Sequence, residues 1–379
     1  MIELFLFFLG LLLFYNYYWK RRHFPPGPPP LPILGNLGSV ASPRPKYQVF
    51  LDWSKKYNGI FTIWIGELPC VVICDYALMH SALVKDHAEA LSGRYQFVEH
   101  LNAIRVEVAS LLKRLEEDEK TGICDIIGRF DACIGSVINN LLFGYSFEGS
   151  KLREFLELKK NIQELFIHIN KSPTILYMNF PWLKHFPYFK RYFEDGVYLN
   201  KKIFDFLEQQ IKEHEKNIDF NSETTDFCEA FLKEIKHQEE IHGPNKDNYS
   251  YVQLKNVCYD LWLAGMETTA TTCQFAIIYL LNHPEVLKRA QKELDAVVDN
   301  DRLVTMDDKS QLHYLQAVVS EVQRAINLLL FNISHKALDD VVIDGHLIKK
   351  GTIVLPQISC VLYDEKVLFI EINVIIIFG

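Results

Sequence analysis

The sequence predicts a mostly helical protein with a small β portion at each end of the chain. Apolar residues recur at three- and four-residue spacing through the middle of the chain, whereas short alternating segments occur near its start and after residue 332. The 379 residues are 49% hydrophobic and 23% charged, so they suffice to bury a large core in one or two domains. The net charge of −8 argues against a nucleic-acid partner, which normally requires a basic face.

The first residues predict a membrane anchor over 1–19. Residues 4–18 are almost wholly apolar or aromatic, and the basic cluster Lys-Arg-Arg-His follows at 20–23. A cleaved signal peptide is the alternative, but the acidic Glu3 and the bulky tyrosines at the end of the apolar run disfavour it. The basic cluster should stay cytosolic, which places the rest of the chain on the cytosolic side of the membrane.

A proline-rich segment follows the anchor. Residues 24–32 read Phe-Pro-Pro-Gly-Pro-Pro-Pro-Leu-Pro, and consecutive prolines favour a stiff, extended chain. An SH3-type ligand or a plain spacer is the alternative interpretation. We interpret 20–45 as a basic stop followed by a hinge, and 46–379 as one folded domain, for which the motifs described below imply catalysis.

The remaining elements follow from periodicity and turn residues. Short helices are predicted over 47–57 and 76–84, on either side of a hairpin formed by 60–65 and 69–74. The longer predicted helices cover 104–115, 126–142, 151–169, 197–216, 225–237, 251–281 and 312–326. Pro284 should open a further helix, and Asp307 or Asp308 should lie near the start of the helix 312–326. Strands are predicted over 341–343 and 352–355.

The eight cysteines show no metal-binding spacing. None forms a Cys-x-x-Cys pair, and none has a histidine at the spacing of a zinc site. Most lie in or beside apolar segments, so we interpret them as reduced, buried thiols of a cytosol-facing protein.

The most informative motif lies in the middle of the predicted helix 251–281. Residues 264–269 read Ala-Gly-Met-Glu-Thr-Thr, and an acid with two hydroxyls is costly to bury without partners. One interpretation is helix packing through the small residues, with the threonines bonded to the preceding turn. The other is a functional site. One helix further on, Glu321 and Arg324 stand three residues apart, so they can pair on one helix face.

These features, in this order, resemble the cytochrome P450 family, in particular its animal microsomal, family-2-like members. The resemblance extends from the anchor and hinge to about Asp364 and includes the stretch around Asn332, Ser334 and His335. It implies a mainly α cytochrome P450 fold with a small β portion. It also implies haem as the cofactor, a lipophilic small-molecule substrate, a membrane and an NADPH-dependent reductase as partners, and the cytosolic face of the endoplasmic reticulum as the location.

The resemblance assigns roles residue by residue. Thr268 would hydrogen-bond bound oxygen and relay protons, and Glu267 would supply them from the solvent side. A close approach of haem and oxygen is implied for Ala264 and Gly265, where a local widening of the helix is expected, and Thr269 joins this cofactor-binding group. Further roles are implied for His335 (a haem propionate), for Glu321 and Arg324 (fixing the haem-side core), and for Asp260, Leu329 and Ile333 (the substrate pocket).

Two elements of the family pattern are not found in this sequence. The family holds its iron through a cysteine in Phe-x-x-Gly-x-x-x-Cys-x-Gly, and no cysteine here stands in that pattern, so no metal ligand is assigned. A helix carrying a Trp-Arg pair should follow residues 92–94, but the chain passes from residue 97 almost directly to the helix 104–115. The catalytic domain is therefore expected to be incomplete.

Three hypotheses follow for the function. The first is a haem-thiolate monooxygenase that oxidises lipophilic small molecules, of the xenobiotic, fatty acid or steroid class, with O2 and reductase-supplied electrons. The second is a catalytically inactive, membrane-anchored remnant without stable haem, at most a lipid-binding or interaction protein. For the chain as printed, the missing cysteine pattern favours the second. The third is an unrelated helical membrane protein that carries similar motifs.

Overall fold

The computed structural model describes residue 10 and residues 13–40, 46–86, 101–122, 125–149, 151–242, 249–298, 302–329 and 332–364. The chain forms two compact units, and the first comprises Met1–Phe97 and Ala317–Gly379. The second unit is the continuous segment Val98–Gln316.

The second unit is helical throughout its described part. Its helices, in chain order, are α4 (Leu101–Thr121), α5 (Ile126–Phe143), α6 (Lys151–Ile169), α7 (Ser172–Asn179), a 3-10 turn (Pro181–His185), α8 (Pro187–Asn217), α9 (Phe227–His242), α10 (Tyr251–Asn282), α11 (Pro284–Val297) and a 3-10 turn (Met306–Gln311). Helix α12 (His313–Ile326) begins in this unit and ends in the first.

Local signals explain where three of these helices begin and where one of them ends. The Asp125 side chain accepts a hydrogen bond from the Gly128 amide at 3.0 Å, which satisfies a free donor in the first turn of α5. Gly144 ends that helix with a φ of 72°, a left-handed conformation that suits glycine. Ser250 caps α10 in the same way by accepting from the Gln253 amide at 3.2 Å. Pro284 then opens α11, as the sequence predicts.

The core of the second unit is apolar and rich in aromatic side chains. Trp262 of α10 is 1% exposed and lies against Phe147 and Phe155, with ring centroids 6.3 Å apart in both pairs. Burial of such large side chains is the main favourable term in folding. Helix α10 therefore lies in the core of this unit, with α5 among its neighbours.

The first unit contains the small β portion. Strands β1 (Ile60–Ile65), β2 (Leu68–Ile73), β3 (His335–Lys336) and β6 (Ile353–Pro356) form a sheet in the order β1-β2-β6-β3. Strands β4 (Val341–Ile343) and β5 (His346–Ile348) form a separate hairpin. The helices are α1 (Leu37–Val40), α2 (Lys46–Lys56), α3 (Tyr76–His80) with a π turn (Ser81–Lys85), and α13 (Ile358–Leu362).

The proline-rich hinge is bound to this sheet. The Thr62 amide donates to the Pro26 carbonyl at 3.3 Å, and the Arg21 guanidinium donates to the Gly27 carbonyl at 2.6 Å. A side chain at Gly27 would place its Cβ 1.9 Å from the Thr62 carbonyl oxygen, so the close approach requires glycine. Asn36 accepts from the Trp64 amide at 2.8 Å. The hinge is therefore a docked part of the fold.

The mostly helical fold with a small β portion is confirmed, and several boundaries differ from the prediction. The helix predicted to begin at residue 197 begins at Pro187, and the one predicted over 104–115 extends over Leu101–Thr121. Helix α7, strands β3 and β5 and helix α13 were not predicted. They are short, so few residues carry their periodic signal.

The anchor predicted over 1–19 lies largely outside the described residues. Among those that are described, one helix is long and apolar enough to cross a membrane, namely Ile126–Phe143. Half of it is buried inside the protein, which is also typical of a core helix.

His214 links the end of α8 to the start of α9, and its protonation should affect stability. Its Nε2 lies 2.9 Å from Asp226 Oδ2, and this carboxylate raises the pKa of His214 above its ordinary value. Because the pKa of His214 is higher in the folded than in the unfolded protein, its interaction with Asp226 contributes stability that is fully present below the unfolded-state pKa. This contribution is lost as the pH rises through the folded-state pKa. We expect the thermal midpoint to fall over that interval, and to fall less in H214Q. The control is H237Q at an exposed histidine of α9, and an equal slope in all three proteins would contradict this prediction.

Candidate active site

The sequence-predicted oxygen-binding stretch lies in the middle of α10. The helix is α-helical from Tyr251 to Asn282, and all of these residues are described, so the expected local widening is not present. The Thr268 hydroxyl donates to the Ala264 carbonyl at 2.7 Å, and the Thr272 hydroxyl donates to the Thr268 carbonyl at 2.8 Å. The hydroxyls of Thr268 and Thr272 therefore find hydrogen-bond acceptors within their own helix, so both residues occur there without distorting it.

Three predicted site residues share one stripe of α10. Asp260, Ala264 and Thr268 follow one another at four-residue spacing, which places them on the same helix face. Asp260 and Ala264 are exposed and Thr268 is half-buried. Within the second unit this stripe is therefore open, whereas Trp262, Met266 and Ala270 lie in the core. Thr269 is exposed on the neighbouring stripe.

Gly265 has a packing role in this structure. A Cβ at this position would lie 2.7 Å from Cδ1 of Ile138, a residue of α5. The absent side chain thus lets α5 and α10 approach each other closely. The structure supports the packing interpretation for Gly265 and leaves Ala264 on the open stripe.

Glu267 lies on a different side of α10 from Thr268. Its side chain is half-buried, and Oε1 has no hydrogen-bond partner among the described residues. Burial raises the pKa of Glu267, and the positive charge of Lys159 on α6 acts in the opposite direction. A raised pKa makes this carboxyl keep its proton to a higher pH than an ordinary glutamate does, which favours a role as proton donor.

Glu321 and Arg324 form a bidentate ion pair on α12. Arg324 Nε lies 2.8 Å from Glu321 Oε2, and Nη2 lies 2.7 Å from Oε1. A third donor, Nη1, bonds the Leu362 carbonyl at 3.1 Å. The pairing predicted from the three-residue spacing is present, and it connects α12 to the end of α13.

The other predicted residues of the first unit follow α12. His335 lies in β3, opposite Val354 of β6, whereas Leu329 and Ile333 are exposed on the connecting segment. Asn327, with a φ of 43°, exchanges hydrogen bonds with the Ser359 hydroxyl at 2.9 and 3.1 Å. This unpredicted polar contact fixes the chain just before Leu329. The roles assigned to His335, Leu329 and Ile333 stay predictions.

Six of the seven described thiols are buried, so they do not suit the haem ligand of this family, which must face its cofactor. An iron-bound thiolate is ionised and faces the cofactor, whereas burial favours the neutral thiol. Burial raises the pKa of Cys70 and of Cys258 to about 12, and it raises that of Cys228 further. A hydrogen bond with Cys360 and burial together raise the pKa of Cys74. We therefore derive no chemical step through haem.

Two features of the second unit were not predicted from the sequence. A cavity of about 730 Å³ lies among α6, α7, α8 and the first turns of α10, and its apolar lining includes Leu165, Phe204 and Val252. Asp131 of α5 forms a buried ion pair with Lys159 of α6. The signal for the second was an acid inside an otherwise apolar helix, where a lone carboxylate requires a partner.

The comparisons with known proteins agree with the fold. The family model described as "Cytochrome P450" matches residues 25–103 and 96–368, and the two matched segments meet near the place where family residues are expected to be missing. Cytochrome P450 2C2 of Oryctolagus cuniculus is 31% identical over 393 residues, which covers 92% of this chain and 78% of that protein. Cytochrome P450 2C8 of Homo sapiens is 29% identical, covering 92% and 76%.

A mostly helical protein with this helix and this Glu-Arg pair therefore has the class of fold that the sequence resemblance predicts. The chain belongs to the cytochrome P450 family.

Removing the charge of Glu321 should destabilise the protein. The Glu321 side chain is 4% exposed and that of Arg324 is 24% exposed, so E321Q leaves a guanidinium largely buried without its carboxylate. We expect a loss of roughly 2–4 kcal/mol in the free energy of unfolding, less than for a fully buried pair. The control is D205N, which breaks the exposed pair of Lys201 and Asp205 and should cost less than about 1 kcal/mol. Equal losses in chemical denaturation would show that the buried pair has no special role.

Proposed function

We propose that this protein is a haem monooxygenase of the cytochrome P450 family that oxidises lipophilic small molecules. The reaction would use O2 and electrons from an NADPH-dependent reductase. The observation that carries the proposal is the family match over most of the chain, together with the open stripe of Asp260, Ala264 and Thr268 on α10. Haem is the cofactor of this family and would supply the oxygen chemistry.

The chain's own groups suit the handling of protons beside this stripe. The Thr268 hydroxyl donates to the Ala264 carbonyl, so its oxygen keeps acceptor capacity and can accept a hydrogen bond from outside the helix. Glu267 is the neighbouring residue and holds its proton more strongly than an ordinary glutamate. We propose that Glu267 supplies protons and that Thr268 relays them.

A lipophilic substrate is consistent with the cavity of the second unit. Its volume falls within the range of small-molecule pockets, and its lining is largely apolar. None of the three predicted substrate residues lines it. We propose that Asp260 contacts substrate from the open stripe of α10. The substrate role of Leu329 and Ile333, on the segment after α12, stays a separate prediction from the family resemblance.

A membrane location is supported by an exposed apolar surface between α7 and α8. Met178, Trp182, Phe186 and Tyr188 are each more than half exposed there, beside the cationic Lys184. Aromatic side chains with a neighbouring cation suit the boundary between lipid and water. We propose that the protein resides at the endoplasmic reticulum with its catalytic domain on the cytosolic face.

The second candidate function is a membrane-bound protein without catalysis. The observation that favours it is the set of buried thiols, whose raised pKa values oppose ionisation. Such a chain could still bind lipophilic molecules in the cavity of the second unit. The two candidates differ in one measurable property, namely the presence of a thiolate-bound haem.

The carbon monoxide spectrum of the reduced, purified chain decides between them. The monooxygenase predicts about one haem per chain and the Soret shift of a thiolate ligand. The second candidate predicts no such shift. A haem-thiolate relative, prepared in parallel, controls for loss of haem during purification. If the shift is absent although haem is bound, the monooxygenase proposal is wrong for this chain.

Fractionation of expressing cells tests the proposed location. We expect the full chain in the microsomal pellet after extraction with alkaline carbonate, because a spanning anchor resists this treatment. Protease added to intact microsomes should digest the domain, since it would face the cytosol. Recovery in the soluble fraction, or full protection from protease, would contradict the location or the orientation respectively.

A further inference from the structure

A buried cluster of charged and polar side chains connects three helices of the second unit. Asp131 of α5 is 2% exposed and forms an ion pair with the amino group of Lys159 on α6. Gln274 of α10 donates from Nε2 to Asp131 Oδ1 at 3.0 Å. Each helix thus contributes one member, and the contacts lie at the apolar interface between α5 and α10.

Glu267 lies on the same face of α10 as Gln274. The two residues are seven positions apart, which is two turns of an α-helix. Glu267 is therefore directed toward the side of α10 on which α5 and α6 place Asp131 and Lys159. Its Oε1 has no hydrogen-bond partner among the described residues, so the carboxyl depends on nearby charge for stabilisation.

The cluster has one cation for two carboxyl groups. Lys159 pairs directly with Asp131, and it is also the charged group that acts on Glu267. Asp125, just before α5, acts on Lys159 as well. From α8 the charge of Glu208 is taken up by Lys255, near the start of α10 and five residues before Asp260. Glu267 therefore shares the positive charge of Lys159 with Asp131 and Asp125.

We propose that Lys159 is a positioning residue for Glu267, whose carboxyl group it holds toward α6. The inference rests on the proposed role of Glu267 as the proton supplier for Thr268. A purely structural Lys159 would stabilise Asp131 and leave Glu267 unaffected. The two alternatives differ in whether the effect of replacing Glu267 depends on Lys159.

A double-mutant cycle tests this dependence on the full chain. One background is the unaltered protein, and the other is K159M/D131N, which removes the ion pair and keeps an amide oxygen for Gln274. E267Q is introduced into each, and the thermal midpoint is measured near pH 7.5 and near pH 5. Without Lys159 the buried carboxylate loses its cation, so we expect E267Q to raise the midpoint more in the second background. The difference should shrink as the pH falls, because protonation of Glu267 removes the negative charge that Lys159 compensates.

Equal shifts by E267Q in both backgrounds at both pH values would overturn the proposal. The matched control is K160M, at a neighbouring lysine of α6 that is 74% exposed and should leave the E267Q shift unchanged. In a further variant, D131N alone, we expect E267Q to shift the thermal midpoint in the opposite direction. D131N frees Lys159 for Glu267, so E267Q should then lower the midpoint, and an unchanged shift would also overturn the proposal. If K159M/D131N fails to fold, D131N alone decides.

The cycle needs neither haem nor turnover. A missing thiolate spectrum would therefore reject the monooxygenase and leave the thermal result valid. Conversely, an active enzyme with no coupling between Lys159 and Glu267 would reject the positioning role alone.

Discussion

The second unit depends on one constraint, which is that α10 crosses an apolar core and must still satisfy the polar side chains it carries. The helix contains 32 residues, or about 48 Å at 1.5 Å per residue. A buried polar group without a partner costs more than a hydrogen bond typically returns. The position of each polar residue on α10 follows from the partner it finds.

The polar residues of α10 meet this constraint in three ways. Thr268 and Thr272 bond carbonyls of their own helix, so they need no neighbour. Asp260 lies on the open stripe and can be hydrated. Gln274 uses a partner on another helix, the buried Asp131, which in turn requires Lys159. Glu267 is one of three residues of α10, with Tyr251 and Trp262, that keep a buried polar atom without a hydrogen-bond partner among the described residues. It is the acid among the three, and a half-buried acid with a raised pKa is a candidate functional group.

The sequence predicts the long helices and the Glu-Arg pair well because their signals are local. Apolar periodicity over many residues identifies α5, α6 and α10, and a three-residue spacing suffices to pair Glu321 with Arg324. The start of α8 was missed because its first turns are rich in aromatic residues and half-exposed. The short strands and α13 depend on pairing with distant segments, as when the Gln357 amide bonds the Ile73 carbonyl. Such contacts leave little pattern in the local sequence.

In the candidate site, the roles of single residues also depend on distant contacts that the local sequence does not show. Gly265 looks like a residue that admits a ligand, but the space beside it is taken by Ile138, more than a hundred positions earlier. Lys159 looks like one of two neighbouring surface lysines, yet only Lys160 is exposed. The difference lies in which helix face meets α5, and periodicity alone places that face only approximately. Long-range partners therefore decide the role of a residue whose type and spacing are already known.

The proton donor proposed on α10 and the cysteine that would bind the haem iron need opposite environments in the protein. Haem-thiolate chemistry requires a cysteine that stays ionised, which favours hydrogen-bond donors and positive charge around the sulfur. Burial dominates at Cys70, Cys228 and Cys258 and favours the neutral thiol, so a stronger apolar core makes these residues worse ligands. On α10, by contrast, the same burial raises the pKa of Glu267 and makes it a better proton donor. The low polarity of the core thus supports the acid on α10 and opposes the conversion of any of these thiols into an iron ligand.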